Sequence, residues 1–461
     1  MTYTGAGGCE DDPLRGATEK TRAPTPPLPL SFASLATVLK GGTVIDFEPA
    51  RVETVDLRIE GNRVVARGAE LPTGPGDDVV DVTGRLVTPG LVSGHHHLHA
   101  TALRGLVSST AAPPDFHAAL EAGRWAVHPH LDLDGVQVVA AMGALEALYA
   151  GTTTLVDMHA SAGAIRGSLL QVARGMNEVG LRGVLAYEVT DRYGVQARED
   201  GLQETREFVS RAQGRFRGLI GAHASYTLSD EALQGLARAV QETGAGLHIH
   251  LAEDPTDERV SLERYGHAPL ARLLKAGLLS SSSVVAHAVH LGWPELSELI
   301  ATGAWIVHNP RSNMEHQVGY APAGKFGARA LVGTDDVGVD VWADVKLAHF
   351  RAREASQPID ALRYLTNGHR MTTQIFNEPL GSLVPGALAD LLLLDYRPPT
   401  ELTEKTLASH LLQGMGSRWV DCVMVDGVWR LWARRPLTVS AEALSARARD
   451  VSARVWRALA R

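Results

Sequence analysis

Residues 87–104 read VTPGLVSGHHHLHATALR, with four histidines in five positions: His95, His96, His97 and His99. The apolar lead Leu91-Val92 predicts a strand here. If that strand runs from Leu91 to Leu98, alternation sends His95, His97 and His99 to one side and His96 to the other. Two imidazoles spaced His-x-His at a strand end can share one divalent cation, because neutral imidazole is a good ligand for zinc or iron. Taken alone, the cluster is equally compatible with surface or packing histidines. The rest of the chain decides between them.

Outward from this stretch the same design repeats. Eight short apolar runs each end in a polar or ionisable residue: LVSGHHH (91–97), TTLVDMH (153–159), GVLAYE (183–188), GLIGAH (218–223), GLHIHLAE (246–253), SVVAH (283–287), AWIVHN (304–309) and ALVGTD (330–335). Helical spacing lies between most of them. In LDGVQVVAAMGALEALYAG, Val138, Met142, Leu145 and Tyr149 share one face and Gly151 stops the helix. Ser229 is placed to cap DEALQGLARAVQETG, which ends at Gly244. Eight strand–helix units predict an α/β fold, a (β/α)8 TIM-like barrel, whose catalytic groups sit at the C-terminal strand ends. Those ends carry His97, His159, Glu188, His223, His250, His287, Asn309 and Asp335. One histidine at a strand end is usually structural, but this concentration reads as a metal or catalytic centre.

The flanks read differently. Residues 1–33, rich in Pro, Gly and Thr, are expected to be a flexible tail. Residues 34–88 and 379–440 carry short alternating segments with glycine turns, expected to form a small β-sandwich from both chain ends around a barrel at 89–378. Residues 441–461 are read as a C-terminal helix. A net charge of -8 gives no footprint for nucleic acid, and no run is apolar enough to span a membrane. The N-terminus has no secretory pattern, and the two cysteines, Cys9 and Cys422, suggest no disulfide framework; a cytoplasmic setting is expected.

A catalytic zinc site keeps one position open for water. His95 and His97 supply two nitrogens, and HIHLAE offers a third from His248 or His250, both on the same side of their strand. Asp335 in GTDD adds a carboxylate able to ligate and to accept a proton. Glu253, three residues beyond His250, is placed to protonate a ring nitrogen and then the departing amine, unless it is simply a solvated helix-start acid. His287 can hold the attacking water. No lysine occurs between Lys40 and Lys275, so the early strands offer no lysine carbamate to bridge two metals, and one metal is expected.

At this point the motifs PGLVSGHHHLHATALRG, GTTTLVDMH, HIHLAE, AHAVHL, HNPRSNM, GTD and GSLVPGALADLLLLD stand in order over residues 36–437. Together they resemble the amidohydrolase superfamily, in its mononuclear-metal deaminase and chlorohydrolase branch. AYEVTDRYG, HASYTLSD and NPRSNMEHQVGYAP are similar to the SsnA-type aminohydrolases within it. The resemblance implies one divalent metal per chain, zinc or alternatively iron(II), on His95, His97, His250 and Asp335. It selects His250 over His248 and implies Glu253, His287 and Asp335 as the catalytic groups. It also implies a homodimer. Three positions depart from the pattern: His96, His99 and Asp336, the last where glycine is usual.

Substrate contacts are expected from His99, His159, Glu188, His223, Asn309 and Asn313, with Arg104, Arg192 and Arg311 on nearby loops. Glu188 can receive an amino group or ring N–H, or equally pair with Arg192 four residues on. Only 5% of residues are aromatic, which suits a small polar heterocycle. The expected reaction is hydrolytic deamination of a purine, pyrimidine or related ring, with ammonia released. Ring opening of a cyclic amide, or displacement of chloride or an alkylamine from a triazine-like ring, uses much of the same apparatus. A barrel that only binds should lack a ligand, and none is missing.

Overall fold

The computed structural model describes residues 35–106 and 116–459; the stretch expected to be a flexible tail, with Cys9, lies outside the described residues. Eight strands form the barrel: β1 (Leu91–His96), β2 (Thr152–His159), β3 (Arg182–Tyr187), β4 (Ile220–Ala224), β5 (Leu247–Leu251), β6 (Val284–His287), β7 (Trp305–His308) and β8 (Ala330–Val332). Nearly every residue in them is buried, as expected of parallel strands covered on both faces. Parallel ladders join β1 to β2 to β3, and β4 through to β8.

Two seams close the ring: β3 pairs in parallel with Phe216–Gly218, the lead into β4, and through the bridge of Val189 with Ala222, whereas β1 and β8 meet at the bridge of His96 with Asp335. At the first, backbones come so close that a Cβ on Gly221 would lie 2.1 Å from the carbonyl oxygen of Tyr187, so only glycine fits. The second seam brings Asp335 beside the histidine cluster. Backbone amides of Thr334 and Asp335 both donate to the carbonyl of His95 at 3.0 Å. Two residues 240 positions apart in sequence are thereby fixed to each other by main-chain geometry.

The helices follow their sequence signals at the ends. Ser229 accepts from the amide of Ala232 at the start of Asp230–Thr243, and Gly244 closes it with φ +69. Asp132 caps Leu133–Tyr149 in the same way. The single apolar face expected for that helix needs correction: Met142 and Tyr149 are only half-buried, whereas Val136, Val139, Ala140 and Ala144 are buried on other sides. The helix lies between Ser168–Val179 and the C-terminal helix Ala441–Leu459, so it is covered on more than one side. That last helix also braces the turn after β1, where the indole of Trp456 donates to the carbonyl of Ala102 at 2.8 Å.

Both chain ends meet in one nine-stranded sheet. Leu391–Leu394 from the rear pairs antiparallel with Leu86–Pro89 from the front. Leu39, Leu57, Ile59, Leu391 and Leu393 are buried in its core, each worth about 1.5–3 kcal/mol relative to exposure. Leu86–Pro89 runs directly into β1, so this sheet anchors the strand that delivers the histidines.

Candidate metal centre and cavity

The strand expected to reach Leu98 stops at His96. The amide of Leu98 donates instead to Oδ1 of Asp157 at 2.6 Å, and the chain enters a 3-10 turn, Leu98–Leu103. His95 and His97 still face the barrel mouth, while His96 turns away and meets Thr334 Oγ1 at 3.0 Å. His99 rides on the turn, with its ring 5.2 Å from that of His97.

Three imidazoles have the Nδ1 atom engaged by the protein. His97 Nδ1 lies 2.7 Å from the carbonyl of Met158, and His250 Nδ1 lies 2.8 Å from the carbonyl of His223. His95 Nδ1 meets His248 Nε2 at 2.9 Å. Donating through Nδ1 leaves each Nε2 with a free lone pair, and the three converge. His97 Nε2 is 3.1 Å from His250 Nε2. Oδ1 of Asp335 lies 3.5 Å from His97 Nε2 and 3.7 Å from His95 Nε2. Buried His95 Nε2 has no hydrogen-bond partner among the described residues. Burial, then the neighbouring histidines, hold His95 and His250 well below the ordinary imidazole range, so both are neutral. Burial also pulls on His97, but carboxylates led by Asp335 outweigh it and raise that group. Imidazole nitrogens converging beside a carboxylate fit a divalent cation. His248, the other candidate from HIHLAE, sits behind His95 and orients it.

Beside this point, Nε2 of His287 lies 3.4 Å from Asp335 Oδ2 and 3.6 Å from Glu253 Oε2. His287 and Asp335 both adopt left-handed backbone, with φ +76 and +51. Non-glycine residues in that region carry strain that the surrounding fold must offset. Burial first, then the charges of Asp335 and Asp257, raises Glu253 well above the usual carboxylate range, which favours its protonated form. Asp257 also accepts from the Glu253 amide at 3.2 Å.

His287 is held from behind. Its Nδ1 meets Oδ1 of Asn313 at 3.0 Å, and the amide nitrogen of Asn309 lies 3.4 Å from the same atom. Asn313→Ala is expected to lower kcat about 10- to 100-fold, the usual cost of losing a partner that orients a site histidine. Metal content should be unchanged, and an unaltered kcat would show that His287 needs no such hold.

Above these groups opens a cavity that reaches solvent. Of the expected substrate contacts, His99, Glu188 and His223 line it. His159, Asn309 and Asn313 do not. His159 is buried and bonded to Ser161 Oγ at 2.9 Å, while the two asparagines serve His287. Glu188 pairs with Arg192, whose guanidinium stacks on Trp125 at 4.0 Å. Arg104 pairs with Glu146 at 2.6 Å, and Arg311 pairs with Asp344.

The opposite wall was not anticipated from sequence. It is built by Phe116–Leu120, Glu121–Trp125 and the turn His128–His130. Phe116, Arg124, Trp125 and His128 line the cavity from this side, facing His316 and Asp336. The one available signal was the grouping of arginine, tryptophan and histidine in GRWAVHPH (123–130).

Comparison with known proteins follows this geometry closely. A model of the amidohydrolase family matches residues 86–430. The chain is 29% identical to a 5-methylthioadenosine/S-adenosylhomocysteine deaminase of Thermococcus sibiricus, over 85% of this chain and 93% of that one. It is 28% identical to a 5'-deoxyadenosine deaminase of Methanothermobacter thermautotrophicus, over 80% and 87% respectively. Among solved structures, an adenosine deaminase from Xanthomonas campestris with bound zinc superposes with a TM-score of 0.81, at 22% identity, covering 91% of this chain and 98% of that one. An atrazine chlorohydrolase from Arthrobacter aurescens complexed with zinc gives 0.78, also at 22% identity, covering 90% and 100%.

Proposed function

Because this chain belongs to the amidohydrolase family, we propose that it is a metal-dependent hydrolase that deaminates an aminated N-heterocycle and releases ammonia. The carrying observation is the convergence of three imidazoles, each anchored through Nδ1, and Asp335 beside the largely buried Glu253. Deaminase relatives aligned over most of their length support the reaction type. Their names favour a purine nucleoside as the ring to try first.

His95, His97, His250 and Asp335 would hold the cation. Three nitrogens and one carboxylate suit zinc, with iron(II) as the alternative. When bound, it supplies Lewis-acid activation of a water molecule. The protein's own groups do the rest. Asp335 takes a proton from the attacking water, and His287, locked by Asn313, orients that water toward the amino-bearing carbon. Glu253 delivers its proton to the adjacent ring nitrogen as the carbon–oxygen bond forms. Recharged by the proton on Asp335, it passes one to the amine, the carbon–nitrogen bond breaks, ammonia leaves, and the hydroxyl proton released as the ring carbonyl forms returns to Glu253. His99, Glu188 and His223 contact the ring. The terminal sheet, read as a small β-sandwich, anchors β1. No described helix is long and apolar enough to cross a membrane; the sparse cysteines favour a cytoplasmic setting, and family resemblance favours a homodimer.

An ammonia-release screen over aminated purines, pyrimidines and triazines tests the reading. One ring class should yield stoichiometric ammonia. Ring opening without ammonia would replace deamination with cyclic-amide hydrolysis.

A further inference from the structure

Asp336 stands next to a proposed metal ligand, and its side chain is engaged by the opposite wall of the cavity. It ion-pairs with Nε of Arg124, and its other oxygen lies 3.2 Å from Nε2 of His316. Nη2 of Arg124 meets the same His316 nitrogen at 3.0 Å. Among the described residues that line the cavity, Arg124 is the sole arginine or lysine. Its guanidinium is therefore held along its Nε–Nη2 edge, with the Asp336 carboxylate balancing its charge. Glu188, which reaches the same cavity beside His97 and His250, is likewise ion-paired, with Arg192. Among the described residues, the one arginine lining the cavity thus meets a ligand with its charge already balanced.

We infer that Asp336 determines specificity by occupying Arg124, so that the site accepts ring compounds without a carboxylate or phosphate and rejects those that carry one. An anionic substituent entering there would meet a guanidinium whose charge a largely buried carboxylate already balances, and would lie close to that carboxylate. This opposes binding, because like charge placed near like charge acts against a wrong ligand. The inference rests on the deaminase reading for the ring chemistry, whereas the closure of Arg124 stands on geometry alone. Removing the Asp336 side-chain charge would leave the metal centre's contact intact, because Asp335 Oδ1 receives the Asp336 backbone amide, at 2.9 Å.

The test uses full-length, zinc-loaded wild type, Asp336→Asn and Arg124→Gln, with metal content confirmed. Dissociation constants are measured for two probes, adenosine and adenosine 5'-monophosphate. Wild type should favour adenosine by roughly 30-fold or more, and Asp336→Asn should narrow that ratio by about tenfold. Arg124→Gln should discriminate at least as strongly as wild type, because the charge of Arg124 is already balanced and its loss leaves the Asp336 carboxylate facing the anion. Equal affinity of wild type for both probes, or an unchanged ratio in Asp336→Asn, would overturn the inference. So would a discrimination ratio in Arg124→Gln well below that of wild type. If neither probe binds any variant, the purine nucleoside reading has failed on its own terms, and phenylglyoxal labelling read by peptide mass spectrometry still decides. Arg124 should label several-fold faster in Asp336→Asn than in wild type, and equal rates would overturn the closure itself.

Discussion

Asp335→Ala is expected to be isolated without its metal and without turnover. The carboxylate is within 3.7 Å of His95 Nε2, 3.5 Å of His97 Nε2 and 3.4 Å of His287 Nε2. No other carboxylate sits among all three of these nitrogens in the candidate ligand groups found among the described residues. Losing a group that merely orients a ligand costs about 10- to 100-fold in metal affinity, and losing a ligand costs more. The same substitution removes the acceptor for the water's proton, so reloading with excess zinc should not restore activity. The backbone bonds from Thr334 and Asp335 to His95 remain, so the seam and the fold should persist. Elemental analysis beside an activity assay checks this. Full metal content with near-normal turnover would remove Asp335 from the centre.

Glu253→Gln is expected to keep its metal and lose about 10^2- to 10^4-fold in kcat, the contribution of a positioned general acid. Glutamine matches the shape but carries no transferable proton. The pH dependence has a definite sign. Because burial and the charges of Asp335 and Asp257 raise Glu253, it stays protonated to higher pH than a free carboxyl, and activity falls as pH rises through that raised value. Asp257→Asn removes one of those charges, so Glu253 should ionise more readily. The alkaline limb of kcat/KM should then move to lower pH. A limb that stayed in place, or a Glu253→Gln variant with normal kcat, would assign the proton to another group.

Much of this site could be read from the sequence because barrel strands are local objects. Each apolar run ends at the mouth, so His95, His97, His250, His287 and Asp335 could be gathered without knowing how the strands pair. What lay beyond reach was whatever depends on contacts between distant segments. His99 was expected to continue a strand, but a hydrogen bond from Leu98 to Asp157 ends it and starts a turn. Asn309 and Asn313 stand at the right strand end, yet their bonds to His287 depend on how the short helix Pro310–Glu315 packs. Asp336 was recognisable as a departure, but its partner Arg124 lies 212 positions away in a segment with little periodic signal. Helix faces suffered similarly. Leu133–Tyr149 is covered by a helix near the chain's end, and no local periodicity announces a second covering layer.

The most direct single measurement is metal stoichiometry and ammonia release on one purified preparation, assayed with adenosine, 5-methylthioadenosine and other aminated heterocycles. The expected result is one zinc or iron per chain, with ammonia produced in equal amount to the keto product from one ring class. A protein that stays metal-free after reconstitution, or one that is fully loaded yet releases no ammonia from any of them, would contradict the assignment.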